Sequence, residues 1–114
     1  MDTEIVVWLF DILKATEEIE SFFVDKPKLF ADYQKDIRTK RAVERNIEII
    51  GEAMNRILKK DDSIEITNSR KIVGVRNKII HGYDSVSDDI IWGVIIKYLP
   101  VLKSEIEILL KNKS

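Results

Sequence analysis

Apolar residues recur every three or four positions along four stretches of the chain. In the first, Ile5, Leu9, Ile12, Ile19 and Phe23 fall on one side, with Thr16 among them, while Asp11, Lys14, Glu17, Glu18 and Glu20 mostly turn away. That period is the mark of an amphipathic helix. Asp2 or Thr3 can cap its start, and Pro27 closes it near residue 25 because the residue before proline avoids the helical region. A second helix is predicted to start between Leu29 and Asp32 and to run to about Lys59, with the stripe Ile37, Val43, Ile47, Ile50, Met54 and Ile57. Gly51 lies inside it at a cost of about 1 kcal/mol relative to alanine, which a close helix contact would explain.

The stretch "KKDDSIEITNSR" reads as a loop, and Asn68 or Ser69 as the cap of a short third helix reaching about His81. Gly82 stands where a helix C-terminus favours a left-handed residue. Ser85 or Ser87 can cap the last helix, whose stripe is Ile91, Val94, Ile95, Tyr98, Leu102, Ile106 and Leu109. Pro100 inside it is expected to kink it by removing a hydrogen bond. No segment alternates with period two for long enough to argue a sheet. The expected fold is all-α: an antiparallel four-helix bundle with a short third helix. Residues 1–114 read as a single domain, with no repeats and no dividing linker.

Composition narrows the functions. Without cysteine there are no disulfides and no thiolate metal sites, and one histidine excludes an all-histidine zinc site within one chain. The opening "MDTEIVVWLFDIL" is acidic at its start and broken by Asp11. It reads as neither signal peptide nor membrane span, so a cytoplasmic protein is expected. The formal charge is −1, unevenly spread. Residues 1–34 carry 3 Lys/Arg against 8 Asp/Glu (−5), residues 35–81 carry 12 against 7 (+5), and residues 82–114 carry 4 against 5 (−1). A basic middle fits a phosphate-binding surface; it fits equally a solvated face paired with the acidic first segment.

The sole histidine lies in "RNKIIHGY", Arg76 to Tyr83. On spacing alone His81 reads as the ordinary end of a buried helix. At about 100° per residue, Arg76 and His81 point roughly 140° apart. Arg76, His81 and Tyr83 nevertheless form an Arg-xxxx-His-x-Tyr pattern that resembles the signature of the HEPN superfamily, and more narrowly of its HepT-like ribonuclease toxins. "RAVERNIEIIGEAMNRI", "VRNKIIHGYDSV" and "IIWGVIIKYLPVLKSEIEILL" resemble the family's landmarks in order, so the likeness spans essentially the whole chain.

The resemblance implies a metal-independent endoribonuclease, the toxin of a type VII-like toxin–antitoxin pair, needing no cofactor. Attack of an RNA 2′-hydroxyl on its neighbouring phosphate needs proton transfer and a cation near the phosphoryl oxygens. His81 suits the general base or acid, and the planar fork of Arg76 suits the developing phosphorane charge. Asn77 is a supporting candidate for orienting the phosphate or the imidazole. Because one chain offers one histidine, a two-fold homodimer would supply both acid and base, and family members build their site at such an interface. The resemblance further implies that a cognate nucleotidyltransferase antitoxin transfers adenylate to Tyr83. The alternative is a non-catalytic nucleotide-binding or adaptor subunit of a two-component nucleotidyltransferase; a plain structural bundle would leave the motif unexplained.

Glu44, Glu48 and Glu52 share one helix face. They read either as support for Arg76 and His81 or as partners in ion pairs: Arg41 with Glu44, Arg45 with Glu48, Arg56 with Glu52. Trp8, Trp92 and the phenylalanines read as core rather than as base-stacking platforms.

Overall fold

Asp2 starts the first helix as its position predicts, its carboxylate accepting from the Glu4 and Ile5 amides at 2.8 and 3.3 Å. The computed structural model describes residues 1–82 and 87–112; Tyr83 and Ser85 lie outside them. The helices are α1 (Thr3–Ser21), α2 (Phe30–Lys35), α3 (Ile37–Lys60), α4 (Ser69–Ile80), α5 (Asp88–Gly93) and α6 (Leu99–Lys111). A π-helical turn, Val94–Tyr98, joins the last two. The fold is an all-α bundle. α3 packs on α1 and α4, α6 packs on α1, and α2 bridges α3 and α5.

The predicted stripes form its core. Ile5, Leu9, Ile12 and Ile19 of α1 meet Ile47, Ile50, Met54 and Ile57 of α3, with Ile72, Ile91, Leu102 and Ile106, all essentially inaccessible. Full burial of each such side chain contributes about 1.5–3 kcal/mol over leaving it exposed. The aromatic side is organised by Trp92, which contacts the rings of Phe23, Phe30 and Tyr33 at centroid distances of 5.8, 5.9 and 5.2 Å. Phe10 departs from the expected core placement: it is exposed on α1.

Three boundaries differ from the sequence reading, each for a local reason. The first helix stops at Ser21, and the chain then reaches a left-handed turn at Asp25 (φ 65°) before Pro27. The expected single helix from residue 30 to 59 is two. Asp36 leaves helical geometry (φ −97°, ψ 89°) and caps α3, accepting from the Thr39 amide at 3.1 Å and the Thr39 hydroxyl at 2.7 Å. The break rotates Ile37 out of the core, where it is 57% exposed rather than part of the stripe. Pro100 brings not a simple kink but a π turn. It has no N–H to give, and the Leu99 amide just before it bonds back to Val94. Leu102 and Ile106 keep their predicted places beyond the turn, while Leu99 and Leu110 are buried beside Tyr98 and Leu109, which are only half-buried against the core.

Part of the charged surface pairs within itself. Arg41–Glu44, Arg45–Glu48 and Arg56–Glu52 form on α3 as the spacing predicts, at 3.4, 3.3 and 3.0 Å. Of the basic middle, only Lys60 reaches the acidic first segment among the described residues, bonding Asp2 at 3.5 Å and Glu4 more closely. No described helix is long and apolar enough to cross a membrane.

Candidate functional site: an arginine fixed where two helices touch

At Gly51, α3 and α4 cross in tight contact. A Cβ built on it would lie 2.3 Å from the Arg76 Cβ and 2.7 Å from its Cγ, so only hydrogen lets the Arg76 stem cross there. This is the close contact that the glycine's position in the helix suggested. The Arg76 side chain is 19% exposed, and past the crossing its guanidinium is held from two sides. Its Nη2 donates to the Glu52 carboxylate one residue beyond Gly51, and its Nη1 donates to Asn77 Oδ1 at 2.8 Å. Nε is buried and meets no acceptor among the described residues.

A guanidinium carries five N–H donors. One goes to Glu52, one to Asn77 and one is buried, which leaves two Nη–H donors in a fixed orientation. Arg76 lines an open groove of about 330 Å³ between α1, α3 and α4, together with Trp8, Asp11, Arg45, Glu48, Arg56 and Ile80. Glu52 thus has two partners, Arg56 as its spacing predicts and Arg76 across the helix contact. The ion-pair and the supporting readings both hold for this one carboxylate, whereas Glu44 and Glu48 pair along α3. Trp8, expected in the core, is half-buried and forms a wall of the groove. Sequence reasoning did not single out either placement; the signal for Glu52 was its adjacency to an in-helix glycine.

His81 ends α4 and is exposed. Its amide donates to the Asn77 carbonyl at 3.1 Å, and Gly82 follows in the left-handed region (φ 66°) as predicted. Its side chain does not line the Arg76 groove. The structure therefore brings Arg76 and Asn77 together with Glu52 and sets His81 at the helix end. The expected modification site, Tyr83, is outside the described residues.

Gly51→Ala tests this geometry. The new methyl must displace the Arg76 stem, and such overpacking costs about 1–3 kcal/mol, against about 1 kcal/mol regained in helix propensity. Near-neutral to modestly lowered thermal stability is expected, with a much larger loss of any Arg76-dependent activity. Equal losses in both would show that the crossing serves packing alone.

Comparison with known proteins identifies the family of the chain. The family described as "Ribonuclease HepT-like" matches residues 12–109. A candidate RNase of Caldanaerobacter subterraneus is 38% identical over 96 residues, covering 81% of this chain and 86% of its own. Another, from Methanocaldococcus jannaschii, is 31% identical over 112 residues, covering 96% and 89%. A protein of Thermococcus cleftensis named as a probable ribonuclease HepT is 34% identical over 105 residues, covering 91% and 94%. No solved structure matches the chain significantly. With nearly its whole length matched, this chain belongs to the HepT-like ribonuclease family of the HEPN superfamily.

Proposed function

We propose that the protein is a metal-independent endoribonuclease that acts as the toxin of a toxin–antitoxin pair in the cytoplasm. The observation that carries this reading is Arg76, pinned by Glu52 and Asn77 with two donors left over, five residues before the chain's one histidine. Donors fixed in advance suit charge that develops in a transition state, because no reorganisation is needed at the moment of reaction. His81 takes the proton of the attacking 2′-hydroxyl or returns one to the 5′-oxygen that leaves. Arg76 stabilises the pentacoordinate phosphorane, and Asn77 orients it. RNA supplies both nucleophile and leaving group, and the protein contributes a cation and a proton carrier. A non-catalytic adaptor would leave this orientation of Arg76 without a purpose.

The working form in this proposal is a two-fold homodimer. One chain has a single histidine, held outside the Arg76 groove, so acid and base come from two chains. Val7 and Phe10 on α1 and Ile80 at the end of α4 are about half exposed, an apolar surface that a second copy can cover.

Purified protein is expected to cut single-stranded RNA in EDTA, leaving 2′,3′-cyclic phosphate ends. No cleavage under any metal condition would overturn the reading. Mixing Arg76→Ala chains with His81→Ala chains tests the shared site. Partial recovery of activity supports it, and activity that persists unchanged in a proven monomer refutes it.

A further inference from the structure

We infer that a second groove, on the face of α4 opposite Arg76, binds the phosphodiester backbone of single-stranded RNA. The inference rests on the ribonuclease reading above. The groove has a volume of about 380 Å³ and runs between α4 and the α5–π segment, lined by Lys71, Gly74, Lys78, Gly93, Lys97 and Tyr98. It exists because α4 packs on α3 rather than on α5.

Three properties point to that ligand. The first is charge gathered in one place. Lys71, Lys78 and Lys97, like Lys14, Lys35 and Arg38, form no ion pair among the described residues, but these three lysines line a single concavity. Among the described residues Asp89 is the one acid on the wall, and it already takes a hydrogen bond from Ser87. Three lysines against one aspartate leave +2 in a concavity, on a chain whose net charge is −1.

The second is access. A Cβ added at Gly74 or Gly93 would meet nothing within 4 Å, so each wall has one position where a phosphate can approach the backbone between the side chains. Tyr98 adds an aromatic face, with the Lys71 ammonium 6.0 Å from its centroid. A basic track beside an aromatic ring is how sequence-tolerant single-strand binding is built.

The third is where the track leads. At about 100° and 1.5 Å per residue, Lys71, Gly74 and Lys78 share an arc of about 60°, and Arg76 lies on the far side of α4. His81 follows Lys78 by about 4.5 Å along the axis and about 60° around it. A strand lying on the lysines therefore runs off the end of the groove toward His81, reaching it from the side that Arg76 does not face.

The test measures binding of a fluorescent, fully 2′-O-methylated single-stranded oligoribonucleotide, which lacks the nucleophile and stays intact. Each phosphate neutralised in a single strand contributes about 0.7 to the slope of log affinity against log salt. The triple variant Lys71→Gln/Lys78→Gln/Lys97→Gln is expected to lower that slope by about 2, and each single variant by about 0.7. A merely structural role would not move the slope. Gly93→Leu gives an independent reading: leucine favours a helix more than glycine does, so the variant should melt no lower than the parent while its RNA binding weakens. A parent that cuts RNA, with a triple variant that keeps the full slope, overturns the groove and leaves the nuclease reading standing. In that case the lysines face solvent or an acidic protein. A parent that neither cuts RNA nor binds the oligonucleotide overturns both.

Discussion

His81→Ala and Arg76→Ala are each expected to lower the rate of RNA cleavage by about 10²–10⁴-fold while leaving the helical circular dichroism unchanged. The magnitude for His81 is that of general acid–base catalysis by one placed side chain. For Arg76 it is that of removing a preorganised donor to a developing oxyanion. The two should differ in their side effects. His81 is exposed at the end of α4, so its truncation leaves the core alone and thermal stability should stay within about 0.5 kcal/mol of the parent. Arg76 is the partner of a half-buried carboxylate, and its removal leaves Glu52 with Arg56 alone on its edge of the groove. Arg76→Lys separates charge from geometry. Lysine keeps the positive charge but cannot reach Glu52 and Asn77 at once while offering two further donors, so it should restore little activity. A lysine variant as active as the parent would mean that charge alone matters and that the fixed orientation is incidental.

The fold was legible wherever one face of a helix is buried, because burial and helical period leave the same mark on the chain. That is why Leu9, Ile12, Ile47, Ile50, Leu102 and Ile106 could be placed in the core. Asp36 was missed because no glycine or proline stands near it, and a breaker is what a reader looks for. The signal present was subtler: a carboxylate three residues before Thr39, whose amide and hydroxyl it accepts, which is a helix start inside an apparent helix. At Pro100 the disturbance was expected but not its form. A π turn brings Leu99 into the core beside the predicted Leu102 and Ile106, and only the packing of α6 on α1 decides between that and a kink. In the site, the identities of Arg76 and His81 came from resemblance, whereas helix geometry alone argued against their cooperation. The partnership of Arg76 with Glu52 spans 24 residues of sequence. It becomes visible only when Gly51 is seen as the point of contact between two helices.

Tyr83→Phe is expected to leave the nuclease active yet beyond the reach of its proposed antitoxin. The adenylate transfer that the family resemblance implies would join the α-phosphorus of ATP to the Tyr83 oxygen, with loss of the phenolic proton and departure of pyrophosphate. The product carries a phosphodiester anion and an adenosine two residues from His81. Tyr83 follows His81 by two residues, which bounds their backbone separation at about 7 Å by chain length alone. The added phosphate presents the donors of the site with the group they are proposed to bind in RNA, at an effective concentration no free strand can match. Inhibition should therefore be nearly complete, and should persist after the antitoxin is removed. Coexpression is expected to add mass in multiples of one adenylate to the parent chain and to restore growth. The phenylalanine variant should gain no mass and continue to arrest growth. If it is neutralised as readily as the parent, the antitoxin acts by binding and the switch is not this hydroxyl. If it gains the same mass, the adenylate is carried by another residue.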